Sequence, residues 1–231
     1  AKLLVLNYPN SPTGRVATRE FYEEVVDFAE RNDVVVVQDA AHIMLTFSGE
    51  PLSFLSVPGA MDVGVEVHSM SKGFHMIGWR LGWVCGHPLL VQAFADTKDN
   101  CDSGQFIAIQ QAAALALDEP EIPRLVREKY RRRLEKLVRV LREAGFQCEL
   151  PGGSYFLYTQ SPVGLADGTE FADAEAASQF LITEQSICTV PWNDAGEFLR
   201  FSVTYEAADE AAEDALMAET ASRLASIGFR F

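Results

Sequence analysis

Cysteine is scarce in this chain of 231 residues: Cys85, Cys101, Cys148 and Cys188 are the only four. None forms a Cys-x-x-Cys pair, which argues against a disulfide framework or a zinc ribbon and for reduced thiols in a cytoplasmic protein. The four histidines are equally scattered, with no His-x-x-x-His spacing, so no metal site is expected. Positive charge is also short. Nineteen Lys and Arg against 33 Asp and Glu leave a net charge of −14. That balance argues against a nucleic-acid binder, which needs clustered cations to displace counterions from phosphates. No apolar run is long enough to span a bilayer, and the first residues do not read as a signal peptide.

What is present alternates between strand and helix patterns. Lys2 to Asn7 reads as a buried strand and is followed by a loop, Tyr8 to Gly14, rich in turn residues. Phe21, Val25, Phe28 and Ala29 recur at helical spacing behind Thr18, a suitable N-cap. Val34 to Val37 is a β-branched run expected to be a strand buried on both faces. Val63–His68 and Arg80–Cys85 complete a mostly parallel α/β sheet covering residues 1–120. From residue 121 to 231 the pattern changes. After a helix over 105–117 closes the first part, a helix over 122–144, short strands at Phe156–Thr159 and Leu199–Val203 and a closing helix from Ala207 to Ile227 predict a smaller α+β domain. The basic run Arg127 to Arg133 alternates with Leu125, Tyr130, Leu134 and Leu137, and reads as a solvated helix face. The chain opens without Met inside a core-strand pattern, so an upstream portion is expected.

In open parallel sheets, ligands bind beyond the carboxyl ends of the strands. Three such ends deliver Asn7 and its loop, Gln38-Asp39, and Ser69-Met70-Ser71-Lys72-Gly73 to one edge, with Arg80 eight residues past Lys72.

Asn-Ser-Pro-Thr-Gly, Asp-Ala-Ala-His, Ser-Met-Ser-Lys-Gly, Gly-Trp-Arg-Leu-Gly and Leu-Arg-Phe-Ser-Val resemble, in order and spacing, the motifs of fold-type I pyridoxal-phosphate aminotransferases of class I/II. Gln38–Phe47 and Ser69–Val84 look most similar to LL-diaminopimelate aminotransferases and their near relatives. The resemblance implies the C-terminal part of a large cofactor-binding domain followed by a small domain, with pyridoxal 5′-phosphate as cofactor. Lys72 then matches the Schiff-base lysine, which must be a primary amine because a guanidinium does not condense with an aldehyde. Asp39 matches the carboxylate that keeps the pyridine nitrogen protonated. Ser69 and Arg80 match phosphate ligands, Ser71 is a weaker candidate, and Arg200 matches the clamp on the substrate α-carboxylate.

Two positions depart from the family pattern. Ser11 stands where relatives usually carry Asn before Pro-Thr-Gly, and His42 where they usually carry Tyr. Both matched positions serve the cofactor 3′-oxygen. A serine hydroxyl or an imidazole N–H can donate there, as can the neighbouring Asn10. The implied activity is transfer of an amino group between an L-amino acid and a 2-oxo acid by a homodimer of a longer chain, with residues 1–231 inactive alone. A carbon–sulfur β-lyase, or an aminotransferase-like sensor domain of a transcription regulator, would share these residues.

Overall fold

A computed structural model describes all 231 residues. The chain divides into two compact units. The first comprises residues 1–11, 15–128 and 152–154; the second comprises 12–14, 129–151 and 155–231.

The first unit contains a four-stranded sheet of β1 (Leu3–Asn7), β2 (Val35–Asp39), β3 (Gly64–Ser69) and β4 (Gly82–Gly86), in that spatial order. β1, β2 and β3 are parallel, and β4 returns antiparallel to β3. Register sets Leu3 and Val5 on one face with Val35 and Val37, and Leu4 and Leu6 on the other with Val36. The second face is covered by α1 (Arg19–Asn32), which Thr18 caps by accepting from the Phe21 N–H at 3.2 Å. Its buried stripe is Tyr22, Val25, Val26 and Ala29, while Phe28 turns to solvent. These side chains pack with Val36, Phe54, Val57 and Ala60. Fully burying a ring such as Phe54 is worth about 1.5–3 kcal/mol. The opposite face is open, with Leu3 and Val5 53% and 62% exposed. Within these 231 residues β1 lies at the sheet edge with Leu4 and Leu6 half-buried, and β2 alternates between buried and half-buried residues.

Short α2 (Ala60–Val63) leads into β3, and one-turn α3 (Met70–Gly73) leaves it. After β4 come α4 (Pro88–Asp99), α5 (Ile107–Leu117) and α6 (Glu121–Glu143). α6 ends with Gly145 at φ 96°, and the Phe146 N–H closes on the Leu141 carbonyl, as a C′ glycine permits.

The second unit carries a three-stranded antiparallel sheet in the order β5 (Phe156–Gln160), β8 (Phe198–Ser202), β7 (Val190–Trp192). A two-stranded ribbon joins β6 (Gly164–Leu165) to β9 (Phe229–Arg230), and α7 (Ala174–Gln185) and α8 (Glu210–Leu224) complete the unit. The basic run of α6 is only in part the solvated face its spacing suggests: Arg131 is exposed, whereas Arg133 turns inward. Arg133 is 1% exposed. Its Nε donates to Glu213 Oε1 at 2.7 Å and its Nη1 to the carbonyls of Val203 and Tyr205. Arg132 and Lys136 reach the same carboxylate, so Glu213 of α8 is a buried anion held by three cations.

Candidate active site

The carboxyl ends of β1, β2 and β3 lie side by side, with Asn7 opposite Asp39 and Asp39 opposite Val67. The Asn7 amide donates to the Asp39 carbonyl at 3.1 Å, and Asn7 Oδ1 accepts from the Ser11 N–H at 2.8 Å and the Asn10 amide at 3.4 Å. Asn10 thus leans on Asn7, and Ser11 opens the loop that follows. The Asp39 carboxylate accepts from the Ala41 N–H at 3.0 Å and forms no ion pair within the chain.

Three residues on, His42 is 5% exposed. It precedes a 3-10 turn, Ile43–Leu45, on which α3 packs. Gly73 makes that contact possible: a Cβ there would come within 2.5 Å of Met44 Cβ. Lys72 immediately precedes this glycine, so His42 and Lys72 are electrostatic neighbours. Burial, and secondarily the Lys72 charge, push the His42 pKa from 6.5 down to about 4, leaving the imidazole neutral.

Ser69 closes β3 and caps α3, its Oγ accepting from the Ser71 N–H at 3.1 Å while its hydroxyl proton stays available to an acceptor. β4 approaches this point because Gly82 lacks a side chain; a Cβ would lie 2.4 Å from the His68 carbonyl oxygen. Arg80, just before β4, adopts a left-handed conformation at φ 53°, a strain of about 1–2 kcal/mol for a residue with a Cβ. Its guanidinium is exposed, donates to the Ile77 carbonyl and pairs with no carboxylate. Sequence reasoning missed what stands behind these groups. Glu66, 1% exposed, accepts from Ser53 and the Phe54 N–H and lies 2.7 Å from His68 Nε2. The His68 ring stacks on Trp83 at 4.8 Å.

Arg200 belongs to the second unit, on the central strand β8. It is half-buried and pairs with no carboxylate. Its Nε is buried without a partner, and its guanidinium carbon lies 4.1 Å from the centre of the Phe156 ring. Burial lowers its pKa.

Residues 1–215 match the family described as aminotransferase class I and II, and the chain belongs to that family. Membership implies pyridoxal 5′-phosphate as the cofactor. The LL-diaminopimelate aminotransferase of Methanococcus maripaludis is 52% identical over 236 residues, covering 100% of this chain and 57% of that protein. The Methanocaldococcus jannaschii protein of the same name is 56% identical over 210 residues, covering 91% and 50%. Among solved structures, apo-BacF from Bacillus subtilis superposes with a TM-score of 0.86 at 30% identity, over 97% of this chain and 58% of that one. An aspartate aminotransferase from Thermus thermophilus with maleate gives 0.82 at 27% identity, over 96% and 57%. The chain therefore spans about half the length of the curated relatives it matches.

Proposed function

We propose that the intact protein is a pyridoxal-phosphate aminotransferase that moves an amino group from an L-amino acid, LL-diaminopimelate foremost, to a 2-oxo acid such as 2-oxoglutarate. The observation that carries this reading is a set of charges without counter-ions. Asp39 and Arg80 stand in this condition near the carboxyl edge of one sheet, and Arg200 does so half-buried in another. Such groups suit a protonated ring nitrogen, a phosphate and a carboxylate in turn.

The donor set therefore fits the cofactor. Asp39 would hold the ring nitrogen, Ser69 and Arg80 the phosphate, and Lys72 the aldehyde carbon, with Ser71 as a further hydroxyl beside the phosphate. Ser11, His42 and Asn10 are the donors proposed for the 3′-oxygen. When bound, the cofactor supplies an aldehyde that captures amino groups and a ring that accepts electron density. Asp39 keeps a proton on the ring nitrogen by offering a fixed negative charge. Lys72, as a primary amine, would take the proton from the substrate α-carbon as a general base and, as the acid so formed, deliver it to the cofactor carbon C4′. His42, neutral and buried, places no positive charge beside the Lys72 nitrogen. Arg200 receives the substrate α-carboxylate and so orients the α-hydrogen.

The large cofactor-binding domain is proposed to end near residue 120, with residues 121–231 as the small domain. We further propose a cytoplasmic homodimer; the exposed Phe106, Ile107 and Leu115 offer apolar surface for other protein to cover. No helix is long and apolar enough to cross a membrane. The test is to supply the intact enzyme with LL-diaminopimelate and 2-oxoglutarate. Glutamate should form stoichiometrically with donor loss. Pyruvate and ammonia released when a sulfur amino acid is supplied as donor instead, without glutamate, would replace transamination by elimination.

A further inference from the structure

The sheet of the second unit has two unlike faces. Leu157, Thr159, Leu199 and Phe201 point to one side and are buried. The other side carries Phe156 and Tyr158 on β5, Trp192 on β7, and Phe198 and Arg200 on β8. Register puts Tyr158 and Val190 directly across from Arg200, and Phe156 and Trp192 on its diagonals. Diagonal neighbours on an antiparallel face are about 7–8 Å apart at the backbone, within reach of long side chains. Here the reach is made: the guanidinium carbon lies 4.1 Å from the Phe156 ring centre and 5.7 Å from that of Trp192. Tyr158 stacks on Phe198 at 4.6 Å and meets Trp192 edge-on, so the surrounding rings brace one another.

A half-buried arginine is normally positioned by a carboxylate. The Arg200 side chain has none, nor any hydrogen bond within the chain. Its Nε is enclosed without a partner, so any anion must approach the terminal nitrogens Nη1 and Nη2.

We infer that Phe156 and Trp192 are the positioning residues for Arg200: their ring faces hold the guanidinium in place of a counter-ion and present its Nη1–Nη2 edge to the substrate carboxylate. This rests on the reading of Arg200 as the carboxylate site. The physical logic is that an aromatic face attracts the cation without neutralising it. A carboxylate in the same place would orient Arg200 equally well, but would occupy its donors and repel the substrate. The arrangement also explains why lysine would not serve, since a point charge has no flat face or two-pronged edge to orient.

The test uses the intact, cofactor-loaded enzyme and compares an amino acid with the matching amine that lacks the carboxylate, in single turnovers. The ratio of their kcat/KM values reads the carboxylate interaction. A general loosening of the domain lowers both values and leaves the ratio intact. Phe156→Leu should reduce the ratio about 3- to 30-fold, the size expected for loss of a partly desolvated cation–π contact. Trp192→Leu should reduce it less, in keeping with the longer distance, and gives a second variant should Phe156→Leu fold poorly. Phe156→Tyr, which keeps the ring face, should preserve it. Calorimetric titration with 2-oxoglutarate gives the comparison without turnover: weaker binding in Phe156→Leu and parental binding in Phe156→Tyr. If Arg200→Met collapses the ratio while neither leucine variant changes it, Arg200 keeps its role and the aromatic positioning is overturned. If Arg200→Met also leaves the ratio unchanged, the carboxylate site itself is misassigned, and this inference goes with it.

Discussion

Asp39 stands opposite Asn7 across the parallel β1–β2 pair, and the Asn7 side chain is spent on the Asp39 backbone, donating to its carbonyl at 3.1 Å. The backbone at the strand end is thereby fixed without engaging the carboxylate, whose one bond within the chain is to the Ala41 N–H. Asn7→Ala should leave the Asp39 charge in place but loosen where it points. Cofactor affinity in this variant should fall by less than in Asp39→Ala, as equilibrium binding titration would show; equal losses would mean that Asn7 itself touches the cofactor.

Arg80→Ala should weaken cofactor binding more than it slows turnover at saturating cofactor. A charge-assisted hydrogen bond is worth roughly 1.5–3 kcal/mol, about 10- to 150-fold in affinity. Unchanged affinity with collapsed turnover would remove Arg80 from the phosphate site.

Replacing Ser11 by Asn and His42 by Tyr together should move the pH at which the bound cofactor changes colour, because both positions are assigned to its 3′-oxygen. A spectrophotometric titration that overlays the parental curve would show that neither side chain reaches that atom.

His42 also makes the fold acid-sensitive. The folded protein keeps this imidazole neutral down to about pH 4, whereas its ordinary pKa is 6.5. The unfolded chain therefore binds the proton first, and acidification favours unfolding. Above pH 6.5 the effect is absent. It grows as pH falls through that value and levels off below about pH 4, at a cost on the order of 3 kcal/mol. In denaturant titrations of the cofactor-free protein, His42→Gln should lose less stability between pH 6.5 and 4 than the parent does. Parallel pH profiles would contradict the buried neutral state.

Glu213 is the opposite case. Burial alone would raise its pKa, but hydrogen bonds from Arg132 and Arg133 outweigh burial and hold it at about 2. Its contribution is complete above the ordinary value of 4.5 and is lost as pH falls towards 2. Glu213→Gln leaves Arg133 buried and uncompensated, which should cost about 3–5 kcal/mol at neutral pH. A thermal midpoint equal to the parent's would mean that water or another anion replaces the carboxylate.

The strand ends were legible because apolar runs such as Val34–Val37 stop abruptly at polar residues, and the motif around Lys72 is dense in small and hydroxylic residues. The residues at the carboxyl edge of β1–β3 could therefore be named from spacing and resemblance together. Arg133 could not. Its helical neighbours predict a solvated face, and the partner that buries it, Glu213, lies 80 positions away. Glu66 and His68 alternate with valines as an exposed polar strand face would, yet Glu66 lies inside, because Ser53 and Phe54 come back over the sheet to satisfy its oxygens. The bracket around Arg200 was hidden for the same reason. Phe156 and Trp192 meet it only through the pairing of β5 and β7 with β8, and β7, three residues long, has no periodicity to betray it.

Every assigned role turns on Lys72 as the residue that carries the cofactor. Borohydride reduction of the intact, cofactor-loaded enzyme followed by peptide mapping tests that assignment directly. One pyridoxyl label is expected, on Lys72 in the peptide Ser-Met-Ser-Lys-Gly. A label on another lysine, with Lys72 unmodified, would contradict it.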